Sequence, residues 1–145
     1  MKMLQSEFIF FELVTNTSEQ ISNLYQLLKD RNFSISHENL PSYSDHENFV
    51  KNAPYRFWYI IKYSDEVIGS FYLKWDNSIG INLNKAEKNL VVKIINHVRA
   101  SLEPMPEVPS FTPNYFYLNV SVHNQNLIDI IEELGEERLQ VSYKL

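Results

Sequence analysis

From Tyr55 to Tyr63 apolar and polar positions alternate: Tyr55, Phe57, Tyr59, Ile61 and Tyr63 share one face, and Arg56, Trp58, Ile60 and Lys62 the other. A period of two is that of a β-strand. Ser64, Asp65 and Glu66 make a short hairpin loop. A returning strand over Val67–Trp75 then carries Val67, Gly69, Phe71, Leu73 and Trp75 on one face. Asp76 and Asn77 turn the chain into a third strand, Ser78–Leu83, which completes a meander. The period then changes. Leu90, Val91, Ile94, Ile95 and Val98 recur at spacings of three and four, the apolar stripe of a helix. Asn84 as N-cap with Glu87 three residues later predicts a capped helix over Asn84–Arg99.

The same signals place the other elements. Glu7–Val14 is β-branched and aromatic and reads as a first strand. Thr17 to Gln20 form a capping box opening a helix with Ile21, Leu24, Tyr25 and Leu28 inward and Asn32 as terminator. A polar stretch follows to Ser44. Ser44 to Glu47 form a second capping box for a short helix carrying Phe49 and Val50, ended by Pro54. Ser101–Asn114 holds four of the six prolines and reads as a connector. Tyr115–Val122 is a strand with Phe116, Leu118, Val120 and Val122 on its apolar face and Tyr117, Asn119, Ser121 and His123 on its polar one. Asn124 caps a last helix with Leu127, Ile130, Ile131 and Leu134 inward and Gly135 as left-handed C′ residue. Arg138–Lys144 reads as a final strand. The order β-α-α-β-β-β-α-β-α-β predicts an α/β (α+β) mixed sheet with helices on both faces. A right-handed crossover sets Ser78–Leu83 and Tyr115–Val122 parallel and adjacent. A cystatin-like α+β roll is the alternative with this element content.

Composition narrows the picture. At 145 residues, 44% of them hydrophobic, the chain is most economically one domain, 1–145. A net charge of −5 argues against a general nucleic-acid binder. With no cysteine there is no thiolate metal site and no disulfide, which suits a cytoplasmic setting. No apolar run has the length to span a bilayer, and acidic Glu7 breaks a signal-peptide pattern.

The segment Val120-Ser-Val-His-Asn124-Gln-Asn-Leu-Ile-Asp-Ile-Ile-Glu-Glu-Leu-Gly135 is similar to Val-x-x-x-Asn-x-x-Ala-Ile-x-Leu-Tyr-x-x-Leu-Gly-Phe of the GNAT superfamily, the acyl-CoA-dependent N-acyltransferases. Gly69, Gly80 and Gly135 fall where that family tends to place glycines, and the predicted element order covers nearly the whole chain. The resemblance implies an acetyltransferase fold using acetyl-CoA or another acyl-CoA. In that fold the two parallel strands splay and the pantetheine arm lies between them on backbone donors, which here implies contacts at Ile81, Asn82 and Leu83, with Lys85, Lys88, Asn89 and Asn124 around the phosphates and the helix cap. The acceptor would be a small-molecule or peptide amine; oligomers occur with this fold.

Two departures stand out. The family's pyrophosphate loop, Gln/Arg-x-x-Gly-x-Gly/Ala, has its counterpart in Asn84–Asn89, with Glu87 and Asn89 at the glycine positions. Its usual general acid, a tyrosine in the last helix, aligns with Ile131. The chemistry needs a neutral amine, a polarised carbonyl and a proton route. His123 is the available base on the polar strand face and Tyr117 a substitute acid; each also reads as an ordinary surface or packing residue, and Asn124 as a structural cap. His37, Glu38, Asp45 and His46 lie where the family builds its acceptor site and otherwise read as solvated loop residues, with no zinc spacing. His97 falls among Lys93, Asn96 and Arg99 and has no assigned role. Trp58, Trp75 and the tyrosines either line a pocket or cover the sheet. The sequence thus supports a divergent N-acyltransferase; the alternative is a non-catalytic GNAT-like binding or interaction module that has lost acyl-CoA use.

Overall fold

The structure, a computed structural model, describes residues 3–31 and 39–145. The expectations for Asn32, His37 and Glu38 lie outside the described residues. A 3-10 turn, Ser6–Phe8, leads into β1 (Ile9–Leu13), α1 (Ser18–Asp30), α2 (Tyr43–Lys51), β2 (Tyr55–Tyr63), β3 (Glu66–Lys74), β4 (Ser78–Leu83), α3 (Lys88–Ser101), β5 (Tyr117–Asn119) and α4 (Gln125–Glu133). The strands form one sheet in the order β1-β2-β3-β4-β5. The first three pairings are antiparallel, and β4 pairs with β5 in parallel, as the crossover through α3 requires.

Helices cover both faces, each over its own core. Leu90, Ile94 and Val98 of α3 pack with Ile9, Ile61, Phe71, Leu73 and Ile79. On the other face Ile21, Leu24 and Leu27 of α1 and Val50 of α2 pack with Ile60. His46 belongs to this second layer: it is 2% exposed and its Nε2 lies 2.8 Å from the Ile21 carbonyl, joining α2 to α1. It is therefore a core residue and not a solvated loop residue.

Two β-bulges move side chains between these layers. Lys62 pairs with Val67 while Ile61 pairs with Gly69, so Ile68 is an extra residue on β3. Beyond it the alternation slips: Ile68 packs against the α3 core and Val67 against the α1–α2 core, where the sequence pattern set Val67 beside Phe71. Likewise Tyr55 pairs with Lys74 and Phe57 with Leu73, leaving Arg56 extra on β2. Tyr55 consequently joins Trp58 on the α2 side instead of Phe57 and Tyr59.

Several ends also differ from the sequence expectation. The cap of α2 is Ser42, whose hydroxyl accepts from Asp45 N–H at 3.1 Å, in place of Ser44. α3 begins at Lys88, four residues late, because the extended chain holds on: Asn84 N–H still donates to the Ile68 carbonyl at 3.0 Å. β5 covers only Tyr117–Asn119 of the expected Tyr115–Val122. Residues 136–145 form no strand, and Leu139, Val141 and Tyr143 are exposed. Gly135, at φ 86°, is the left-handed residue after α4 as expected.

Candidate active site

Asn77 fixes where β5 starts. It is fully buried in a left-handed conformation (φ 71°), and its amide donates to the Met105 and Pro113 carbonyls at 3.0 and 2.8 Å. It also accepts from Met105 N–H at 2.6 Å, while Tyr117 N–H donates to the Asn77 backbone carbonyl at 3.1 Å. The proline-rich connector is thereby pinned beneath the β3–β4 turn, and β5 leaves it alongside β4. Pairing then runs Ser78 with Tyr117, Ile79 with Leu118 and Gly80 with Asn119, and stops. Ile81, Asn82 and Leu83 continue β4 with no partner in β5, because the chain turns away into α4.

The gap so opened is a cavity of about 150 Å³ lined by Ile81–Leu83, the turn Asn84–Ala86, Asn124, Asn126 and Leu127 of the α4 start, and Arg31 from the end of α1. That is small for a drug-sized ligand and suits a narrow chain. Five expected cofactor residues therefore meet here: Ile81, Asn82, Leu83, Lys85 and Asn124. Asn124 is also the cap of α4, accepting from Leu127 N–H at 3.3 Å. Lys88 and Asn89 are directed elsewhere. Lys88 pairs with Glu133 at 2.9 Å, Asn89 donates to the Leu4 carbonyl at 3.2 Å, and both line a separate shallow depression with Ser6 and Lys93.

Glu87 precedes α3 without capping it through its side chain. Its carboxylate accepts instead from Leu4 N–H at 2.7 Å. The intrahelical ladder starts with Val91 N–H on the Glu87 carbonyl, so the N–H groups before it have no helical acceptor. The carboxylate that stands at a glycine position of the family's loop is thus committed to the N-terminal segment.

The two expected catalytic residues do not converge. Tyr117 lies at the Ser78 end of the strand pair, three residues or about 10 Å of strand from Ile81. Burial, then the neighbouring Asp76 charge, raises its phenol. Burial alone would raise the Asp76 carboxyl too, but hydrogen bonds from Ser78 (N–H at 3.0 Å, Oγ at 2.6 Å) outweigh that and hold it low. His123 is exposed in the turn before α4, next in sequence to Asn124, with its backbone N–H donating to Ser121 Oγ at 3.3 Å. Arg31, Tyr55 and Tyr72 were not singled out by sequence. The rings of Tyr55 and Tyr72 stack at 4.0 Å and 5°. Gly80 makes room for Tyr72, since a Cβ there would lie 2.1 Å from its Cζ. Among the described residues no cluster of three acidic or histidine side chains could hold a metal, and no helix is long and apolar enough to cross a membrane.

A mixed sheet whose adjacent parallel strands part midway, with α3 on one face and α1 and α2 on the other, is the fold of the GNAT N-acetyltransferases. Solved structures bear this out across nearly the whole chain. It is similar to the N-acetyltransferase PseH of Campylobacter jejuni (13% identity over 93% of this chain and 92% of that one, TM-score 0.60), which has also been solved with acetyl coenzyme A. It is likewise similar to the spermidine/spermine N-acetyltransferase SpeG of Vibrio cholerae (15%, 89% and 79%, TM-score 0.59) and to the aminoglycoside N-acetyltransferase AAC(6')-Ib11 (16%, 88% and 84%, TM-score 0.58). At these identities the fold is what is shared. No family model and no curated protein matches the sequence.

Proposed function

We propose that the protein is an N-acyltransferase, moving an acyl group, acetyl in the simplest case, from acyl-CoA to a small-molecule or peptide amine. The observation that carries this reading is the parting of β4 and β5 after Gly80 and Asn119, with a narrow cavity in the gap. The structural neighbours are N-acetyltransferases, one of them solved with acetyl coenzyme A. The residues present fit that cosubstrate. Backbone groups of Ile81, Asn82 and Leu83 without a partner in β5 suit the amides of a pantetheine arm. Lys85 and the uncapped start of α3 suit its phosphates; Lys88 and Asn89 reach them only by leaving Glu133 and Leu4. When bound, the thioester supplies an acyl group activated toward amines.

For proton handling the candidates are two residues that lie apart, one at the gap and one at the paired end of β5. We assign the base role to His123, which is exposed and adjacent to Asn124 at the cavity rim. Tyr117 is the acid candidate, its raised phenol keeping its proton at neutral pH. The competing reading is a binding module that has lost acyl-CoA use. Ile131 at the family's acid position favours it, as does a cavity lining without imidazole or phenol among the described residues.

Thermal unfolding with added acetyl-CoA separates the two: a ligand at one hundred times its Kd stabilises by about 2.7 kcal/mol. An unchanged transition at millimolar acetyl-CoA would leave only the module. Where binding is seen, His123→Ala should lower turnover and leave the shift intact, and undiminished turnover would clear His123 of the base role.

A further inference from the structure

Arg31 ends α1. Its backbone N–H donates to the Leu28 carbonyl at 3.4 Å, and its extended conformation (φ −69°, ψ 128°) turns the chain off the helix. Its side chain lines the cavity where β4 runs on alone. Burial eases the guanidinium's hold on its proton, and the Tyr72 and Tyr55 hydroxyls close by partly restore it. Those two rings are there for structural reasons already given. The Arg56 bulge turns Tyr55 onto Tyr72, and Gly80 admits the Tyr72 ring over β4 at its last residue paired with β5. Tyr55 in turn packs on Phe49 of α2, which places this group on the α1–α2 side of the sheet.

The charge balance of the cavity is one-sided. Among the described residues its charged lining residues are Arg31 and Lys85, with no carboxylate. None of the ion pairs among the described residues involves Arg31. A half-buried guanidinium is a planar fork of donors that matches a carboxylate or phosphate. Lys85 follows the end of β4, on the side where the phosphates of the cosubstrate would go, and Arg31 shares the cavity with it while lying within electrostatic reach of Tyr72 and Tyr55. A polyamine entering from this side would meet two cations and, among the described lining residues, no counter-charge.

We propose that Arg31 binds an anionic group of the acceptor, so that the amine acylated here carries a phosphate or carboxylate and is not a polycation. This rests on the N-acyltransferase reading. It is tested with matched amines, glucosamine 6-phosphate against glucosamine and phosphoethanolamine against ethanolamine, with spermidine as the polycation.

In turnover at saturating acetyl-CoA, each phosphorylated amine should exceed its neutral partner in kcat/KM by about ten- to hundredfold, the worth of a charge-assisted hydrogen bond. Arg31→Gln should bring that ratio to about one by raising KM for the phosphorylated amine, with KM for acetyl-CoA within about twofold of the parent. A ratio untouched by Arg31→Gln, or a preference for spermidine, would overturn the assignment. So would a rise confined to KM for acetyl-CoA, which would give Arg31 to the phosphates of the cosubstrate. Thermal unfolding with glucosamine 6-phosphate alone provides a readout free of turnover. A stabilisation present in the parent and absent in Arg31→Gln supports the anion subsite even if acetyl-CoA fails to bind and the transferase reading falls; no stabilisation in the parent counts against it.

Discussion

His97 shows how one residue can be misread from its sequence neighbours. Lys93, Asn96 and Arg99 suggest a polar face, yet position 97 is seven residues from Leu90 and three from Ile94, which is the apolar stripe of α3. The structure follows the period. The imidazole is ringed by Phe11, Tyr59 and Phe71 at centroid distances of 5.1, 5.2 and 6.2 Å, and its Nε2 is buried without a partner. Burial lowers its pKa from the ordinary 6.5, so the folded chain holds it neutral. The unfolded chain takes up the proton first as pH falls, so the stability tied to His97 is complete above about pH 6.5 and is lost below it. The depressed carboxyls, Asp76 and Glu12, contribute stability that is lost only at more acid pH, near and below about 4. Urea midpoints should therefore decline between pH 7 and pH 5, and His97→Phe should flatten that decline. A parent protein with a level midpoint across this interval would refute the argument.

The elements were legible where a pattern had no competitor. Thr17 and Gln20 form the capping box in both directions: Thr17 Oγ1 accepts from Gln20 N–H at 3.2 Å, and Gln20 Oε1 accepts from Thr17 N–H at 3.4 Å. The same motif misled at Ser44, where Ser42 caps first, and at Asn84, where the chain stays in the β-ladder and Glu87 binds Leu4. Bulges at Ile68 and Arg56 were hidden because alternation along one strand says nothing of the residue count on its partner. Most consequential is Asn77, which sequence marks only as a turn residue. Its side-chain amide holds the connector and its backbone carbonyl receives the start of β5, and with them goes the parting of the strands. Asn77→Ala removes three side-chain hydrogen bonds and strains a left-handed backbone, and should cost about 3 kcal/mol or more. Asn77→Gly relieves the backbone strain alone and should recover about 1 kcal/mol of that loss. Chemical denaturation of both variants measures the split, and equal losses would show that the backbone conformation is not part of Asn77's contribution.

At the scale of the whole molecule, the parallel neighbours β4 and β5 and their gap followed from connectivity: one helical crossover between two strands leaves few arrangements. Connectivity does not say where a strand ends, and the last segment illustrates this. Arg138–Lys144 alternates as a strand would, but alternation records only what a segment is able to do once a neighbour is offered. The edge beyond β4 is filled by a β5 of three residues, and the chain after Gly135 leaves α4 with Glu136 N–H on the Ile131 carbonyl, Arg99 on Glu136 and Arg138 on Glu132 among its ties. Past them Leu139, Val141 and Tyr143 are 54%, 55% and 84% exposed. Removing residues 139–145 should accordingly change the unfolding free energy by no more than about 0.5 kcal/mol, the usual range for surface changes. Were this segment a sixth strand laid on β5, its apolar side chains would each contribute about 1.5–3 kcal/mol when buried, and the truncated chain would lose several kcal/mol. Urea unfolding of the truncated and full-length proteins reads that difference directly. A large loss would mean that the sheet extends past β5 in solution and that the alternation of the last residues had been a true strand signal.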